Sequence, residues 1–340
     1  MNEMTKLTAK DFATDQEVRW CPGCGDYAVL KAVQRTMPEL GVKPENIVFV
    51  SGIGCSSRFP YYMETYGFHT IHGRAPTIAT GVKLANPELD VWIITGDGDA
   101  LSIGGNHTMH VLRRNLNCQI LLFNNEIYGL TKGQYSPTSR VGTRSPSTPF
   151  GSVDRPASPS AFALGSGARF VARGIDVNKN LPDLLKAAHN HKGAAFVEIF
   201  QNCIVYNDDV FAPFTAKENA DKQLWLKEGE PMLFAGGSKG LTLDREALTV
   251  KVVDVADGDW QAADVIVHRA ANKMIAHMLI DMPFGAFPMA LGIIYEDPAP
   301  TFESAVVEQN AAAAAGKVPD LQALVGKGQS WMVTKEPHLI

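Results

Sequence analysis

Two groups of residues in this sequence have the types and spacing to do chemistry. The first is Gly96-Asp97-Gly98-Asp99, directly after the apolar run Val91–Thr95, taken with Asn124-Asn125, directly after the apolar run Ile120–Phe123. An aspartate and an asparagine at the ends of two neighbouring strands offer hard oxygen ligands to Mg²⁺, an ion commonly shared with a bound phosphate. Glycines on both sides of Asp97 leave the backbone free to approach that phosphate. A lone Gly-Asp-Gly is more often a turn, and the second strand end with its own oxygen donor is what gives the pair weight. A nicotinamide site fits poorly, because the third glycine of that fingerprint would fall at Leu101.

The second group is cysteine. Cys21-Pro22-Gly23-Cys24 puts two thiols on one tight turn, Cys55 follows the run ending at Ser51, and Cys203 follows the run ending at Phe200. All four sit in loops or at strand ends, so a folded sheet can gather them on one edge. Four thiolates suit a [4Fe–4S] cluster or a structural zinc ion. Cys118 opens an apolar run and reads as a core residue.

The elements that must position these groups alternate. Apolar strands are expected near 47–50, 91–95, 120–123, 170–172 and 195–200, with helices from Asp26 and over 77–84, 101–112 and 181–189. Strands without polar alternation, separated by helices, imply an α/β fold: a mostly parallel sheet with helices on both faces. Ligands of such sheets bind beyond the carboxyl ends of the strands. The Ser/Pro/Gly-rich stretch from Ser136 to Ser160 is expected to be a functional or mobile loop. Near residue 215 the pattern becomes polar and less periodic. Residues 1–214 therefore read as the chemistry-bearing domain and 215–340 as a C-terminal segment packed on it.

Composition bounds the rest. Lys plus Arg number 31 against 36 Asp plus Glu, a net charge of −5, which does not suggest a basic nucleic-acid face. No apolar run approaches the ~20 residues that span a bilayer. The polar start, Met1 to Phe12, lacks a signal core, so a cytoplasmic protein is expected. In that setting five cysteines point to thiolate or metal chemistry rather than disulfides.

With their neighbours, these residues resemble the β subunits of 2-oxoacid:ferredoxin oxidoreductases. The resemblance is carried by Trp20–Asp26, Gly52–Arg58, His72–Pro76, Gly96–Asp99 and Asn124–Gln134, in the family's order, and covers roughly residues 12–215. It implies a thiamine-diphosphate-binding fold in which Asp97, Asn125 and the main-chain carbonyl of Ile127 hold Mg²⁺. It also implies that Ile53, Gly54, Cys55, Ser56, His72, Gly73, Arg74, Ala75, Gly96, Gly98, Asp99, Gly129 and Leu130 contact thiamine diphosphate. Cys21, Cys24, Cys55 and Cys203 then hold a [4Fe–4S] cluster. The implied reaction is coenzyme A-dependent oxidative decarboxylation of a 2-oxo acid, or its reversal, with electrons passed singly to ferredoxin. The resemblance implies that the glutamate that activates thiamine is supplied by a partner α subunit, and the C-terminal segment is expected to pack on that subunit as well as on the core. Residues from about 300 onward look longer than in compact members.

Arg58, His72 and Lys132 are the expected catalytic side chains. Lys132 lies a few residues past the metal loop, and an ammonium in a partly dry pocket is unfavourable unless it meets an anion. The distal carboxylate of 2-oxoglutarate would supply one, giving succinyl-CoA as product. Pyruvate or broad 2-oxo acid specificity is the alternative, followed by a non-redox thiamine decarboxylase or synthase, which would not need the cysteines.

Overall fold

The computed structural model describes residues 7–255, 260–318 and 320–331. The strands, in chain order, are β1 (Ile47–Ser51), β2 (Tyr66–His69), β3 (Asp90–Gly96), β4 (Cys118–Asn124), β5 (Ile127–Tyr128), β6 (Gln134–Tyr135) and β7 (Phe170–Ile175). They continue as β8 (Ala194–Phe200), β9 (Gln223–Leu226), β10 (Leu233–Phe234), β11 (Lys239–Asp244), β12 (Thr249–Asp254) and β13 (Met289–Glu296). The main sheet has eight strands in the order β2-β1-β3-β4-β8-β7-β13-β9. The six strands from β2 to β7 in that order run parallel. β13 is antiparallel to β7, and β9 runs parallel with β13.

The apolar, non-alternating strands are explained by two cores, one on each face. In β4, Ile120 and Leu122 face one core and Leu121 and Phe123 the other. Helices α1 (Asp26–Leu40), α2 (Ala75–Ala85), α3 (Asp97–Leu101), α4 (Gly105–Arg114), α5 (Pro159–Gly165) and α6 (Leu181–Asn190) cover them. α1 and α6 bury Val29, Val33, Leu181 and Leu185 against one face, while α2, α4 and α5 bury Ala79, Val111 and Leu164 against the other.

The single helix expected over 101–112 is two helices. α3 ends at Leu101 and α4 starts at Gly105. The turn between them requires glycine at 104, where a Cβ would lie 2.3 Å from the carbonyl oxygen of Asp99 and 2.9 Å from the Cα of Gly73. The loop around Gly73 thus presses directly on the turn between the helices.

The segment beyond residue 214 is built into the same sheet through β9 and β13, and adds a small antiparallel sheet, β10-β11-β12. A helix follows over Phe302–Ala314, anchored by the buried Glu303, which accepts a hydrogen bond from the N–H of Asn117 at 3.2 Å. Residues 332–340 of the C-terminal extension, and 1–6 of the polar start, lie outside the described residues. No helix among the described residues is long and apolar enough to cross a membrane.

Candidate active site

Parallel neighbours end on the same edge, so the carboxyl ends of β1, β3, β4 and β8 open together. The register pairs Gly96 with Phe123, which brings Asp97 level with Asn124. Asp97 begins α3 and is buried. Its Oδ2 accepts hydrogen bonds from Ser136 Oγ and Thr138 Oγ1, both at 2.5 Å. Burial raises the carboxyl to about 6, while those two hydroxyls pull it down. Asn125 donates from Nδ2 to Gln201 Oε1 (2.9 Å), and its Oδ1 accepts from the N–H of Ile127 (3.2 Å). Asn124 instead faces the interior, where Nδ2 donates to Glu198 Oε1 at 2.9 Å. Glu198 is buried and paired with Arg173 at 3.1 Å. One asparagine of the pair is thus a structural anchor and the other borders the opening.

Ile53, Gly54, Cys55 and Ser56 after β1, His72 after β2, Gly96 at the end of β3, and Gly98 and Asp99 just past it line one cleft with Asp97, Asn125, Ile127, Gly129 and Leu130. A carboxylate, an amide oxygen and a main-chain carbonyl are a hard-oxygen donor set that fits Mg²⁺ beside a diphosphate. Gly73, Arg74 and Ala75 stand behind the cleft. The N–H of Gly73 donates to Asp99 Oδ1 (2.8 Å), Arg74 pairs with His107, and Ala75 is fully buried in α2.

Asp99 ties three loops together. Its Oδ1 accepts from the N–H groups of Ile53 (3.0 Å) and Gly73, and its Oδ2 accepts from Thr95 Oγ1 at 2.7 Å. His72 Nδ1 lies 2.8 Å from the same Oδ1 but outside hydrogen-bond geometry. Gly52 has no alternative here, since a Cβ would fall 2.0 Å from Asp99 Oδ2. At Gly98 a Cβ would strike the Tyr128 ring at 2.2 Å. These glycines admit neighbouring side chains as much as a ligand.

The four cysteines named above line a second cavity of about 240 Å³, with Asp26, Arg58, Lys132 and Gln201 among its walls. All are free thiols, and Cys118 sits apart, fully buried in β4. The two openings share Cys55, Asn125, Gly129 and Leu130. Gly129 passes close by the sulfurs: a Cβ there would lie 3.5 Å from Cys203 Sγ and 3.6 Å from Cys55 Sγ. Trp20 Nε1 donates to the carbonyl of Cys55 at 2.7 Å, fixing that loop to the CxxC turn. Burial, reinforced by the Asp26 carboxylate, pushes the Cys55 thiol up to about 12 and the Cys24 thiol higher still. Burial also raises Cys203. Thiols raised in this way ionise when a compensating cation is beside them. Among the described residues no three His, Cys, Asp or Glu side chains converge closely enough for one metal ion.

Two of the expected catalytic side chains, Arg58 and Lys132, line the thiol cavity. Arg58 borders the thiol cavity, donating from Nε to Tyr62 Oη at 2.9 Å. Lys132 was expected to point inward beside thiamine. It is exposed at the thiol cavity, on a tight turn with φ of +75°, because its N–H closes back on the carbonyl of Gly129 at 3.0 Å.

The sequence reading missed Ser136, Thr138, Tyr128 and Gln201. The Ser136–Ser160 loop divides in two. Its first residues, Ser136, Thr138 and Ser139, are buried on the metal loop, while Phe150 and Val153 farther along are exposed. Hydroxyls at alternate positions of a loop form no motif, and only the nearness of Thr131–Gln134 hinted at them.

Comparison with known proteins agrees with this geometry. Residues 52–199 match the family described as thiamine pyrophosphate enzyme, C-terminal TPP binding domain. The chain is 49% identical to the 2-oxoglutarate oxidoreductase subunit KorB of Mycobacterium tuberculosis, over 95% of this chain and 88% of that one. It is 48% identical to subunit beta of 2-oxoacid:ferredoxin oxidoreductase 1 of Aeropyrum pernix, over 62% of this chain and 67% of that one. Among solved structures it resembles the 2-oxoglutarate:ferredoxin oxidoreductase from Magnetococcus marinus, determined with 2-oxoglutarate, coenzyme A and succinyl-CoA bound. The TM-score is 0.77 at 31% identity, covering 97% of this chain and 98% of that one. The chain accordingly belongs to the family of 2-oxoacid:ferredoxin oxidoreductase β subunits and carries a thiamine-diphosphate-binding domain.

Proposed function

We propose that this chain, together with its α subunit, carries out coenzyme A-dependent oxidative decarboxylation of 2-oxoglutarate to succinyl-CoA and CO₂, or the reverse carboxylation, with ferredoxin as electron partner. Asp97, Asn125 and the Ile127 carbonyl are assigned to Mg²⁺, and Cys21, Cys24, Cys55 and Cys203 to a [4Fe–4S] cluster. When bound, thiamine diphosphate supplies an electron sink for decarboxylation, and a cluster supplies a one-electron relay. The observation that carries this reading is the wall shared by the two openings. Cys55, Asn125, Gly129 and Leu130 face both, so electrons released in the cleft have a thiolate-lined site directly beside them.

This chain's own residues bind and orient. Ser136 and Thr138 occupy one oxygen of Asp97. His72, beside the committed carboxylate of Asp99, is placed to hold or release a proton at the cleft. Among the described residues the carboxylates lining the cleft are Asp97 and Asp99, and both have tasks. Glu126 is held by Arg140 at 3.1 Å. The resemblance to the family assigns the carboxylate that activates thiamine to the α subunit.

The choice of 2-oxoglutarate is supported by the names of the Mycobacterium tuberculosis relative and the Magnetococcus marinus structure. Lys132 is assigned to the distal carboxylate, since its neighbour Thr131 lines the cleft. The test is anaerobic co-purification of both subunits, iron and sulfide analysis, and a panel of 2-oxo acids assayed by viologen reduction. Iron with labile sulfide and a preference for 2-oxoglutarate is expected. Zinc alone would overturn the cluster assignment, and equal use of pyruvate would overturn the substrate assignment.

A further inference from the structure

Gln201 is the first residue past β8 and is 1% exposed. Its side chain touches both candidate metal sites. Oε1 accepts from Asn125 Nδ2 at 2.9 Å. Nε2 donates to Cys24 Sγ at 3.2 Å and to the carbonyl of Asn202 at 2.7 Å. Backbone groups with a single role fix the orientation of both amides. The Asn202 carbonyl can only accept, so the Gln201 atom facing it is nitrogen. The Ile127 N–H can only donate, so the Asn125 atom facing it is oxygen. Between these ends the Asn125-to-Gln201 bond has one consistent direction. Reversing Gln201 would face oxygen against the Asn202 carbonyl and nitrogen against the Asn125 amide.

We infer that Gln201 is a positioning residue that joins the two cofactor sites, orienting the Asn125 amide for Mg²⁺ and, through its N–H···S bond to Cys24, raising the reduction potential of the cluster. The inference rests on the proposed cluster and Mg²⁺ ligands. Hydrogen bonds to a ligating sulfur are one of the settings of iron–sulfur potential. A donor to sulfur stabilises the more negative, reduced state, so removing it moves the potential down. Orientation of Asn125 acts on the other site. Without its acceptor, the Asn125 side chain can turn its oxygen away from the metal.

The test uses the anaerobically purified complex of both subunits. Iron per copy of this chain is measured first, then the cluster midpoint potential by EPR-monitored redox titration, and finally the dissociation constant of thiamine diphosphate at fixed Mg²⁺. Gln201→Leu is expected to keep its iron, shift the midpoint to a more negative value, and weaken thiamine diphosphate binding about three- to tenfold, the range of one lost hydrogen bond. Gln201→Glu keeps an acceptor for Asn125. It is expected to shift the midpoint in the same direction with cofactor affinity near the parent's, and it serves if the leucine variant does not fold. Full iron content with an unmoved midpoint in both variants would overturn the inference alone. Absence of iron from the parent complex would overturn the cluster assignment and the inference with it.

Discussion

Thr138 Oγ1 lies 2.5 Å from Asp97 Oδ2, the shortest contact it makes, with Asn124 Oδ1 beyond it at 3.1 Å. A hydroxyl has one hydrogen, and the shorter, charge-assisted contact takes it. One carboxylate oxygen of Asp97 is therefore held by the protein, and the carboxylate plane is fixed. Thr138→Val should weaken Mg²⁺-dependent binding of thiamine diphosphate by about tenfold or more, since a hydrogen bond to a charged group is worth ~1.5–3 kcal/mol. Thr138→Ser should retain most of the affinity. Titration of cofactor against tryptophan fluorescence measures both.

Acid and base should act oppositely on the cofactor-free and loaded protein. Burial holds Asp97 at about 6 and Asp26 at about 7, above the ordinary 3.8. The folded apoprotein thus binds these protons more tightly than the unfolded chain. Its stability is fullest below about 4 on their account and is lost as pH rises to about 6 to 7, by roughly 3–4 kcal/mol per group. Metal binding needs the ionised Asp97, so Mg²⁺ and thiamine diphosphate should stabilise more at neutral pH than at about pH 5. Melting curves of apo and loaded protein across this range give both slopes. Asp97→Asn should flatten the apo curve, and Asp97→Ala should abolish cofactor retention and activity.

Serine at Cys21, Cys24, Cys55 or Cys203 should lower iron content, because a hydroxyl lacks the softness and charge of a thiolate. Cys118→Ser should keep its iron. Cys118 is fully buried in β4, and burial raises its thiol, so that variant should lose only about 1–3 kcal/mol of stability through a buried hydroxyl. Bleaching by Cys118→Ser with colour retained in Cys203→Ser would show a different ligand set.

Lys132→Ala should cost roughly 10–150-fold in kcat/KM for 2-oxoglutarate, the range of a charge-assisted hydrogen bond, and hardly affect pyruvate. Its exposure at the thiol cavity makes this a sharp test. Equal losses for both substrates would show that Lys132 does not read the tail of the substrate, and a parallel loss of ferredoxin reduction would place it on the path of the electron partner.

Much of this arrangement was legible because the chemistry sits at strand ends. Continuous apolar runs marked β3, β4 and β8, and the residues just past them, Asp97, Asn125 and Cys203, are where such sheets present ligands. The less legible part was tertiary. Gly98 suggests phosphate approach in the sequence, but the structure shows a Tyr128 ring filling the space of its missing side chain. Asp99 lines the cleft as expected of a cofactor contact, and what the sequence did not show is that its carboxylate also binds Ile53, Gly73 and Thr95. Lys132 was assigned to the pocket from its place after the metal loop, and the structure adds that it sits on a left-handed turn, exposed, at the wall of the thiol cavity.

Strand β13 is the antiparallel neighbour of β7, although more than a hundred residues of chain separate them. During synthesis the β7 edge, with Val171 and Ala172 beside it, stays unpaired until residue 296 has left the ribosome. An open edge of this kind is a template for pairing with another nascent chain. A gene cut near residue 214, where composition suggests a boundary, would fix that transient state permanently. Its product should collect in inclusion bodies rather than yield a minimal cofactor-binding fragment.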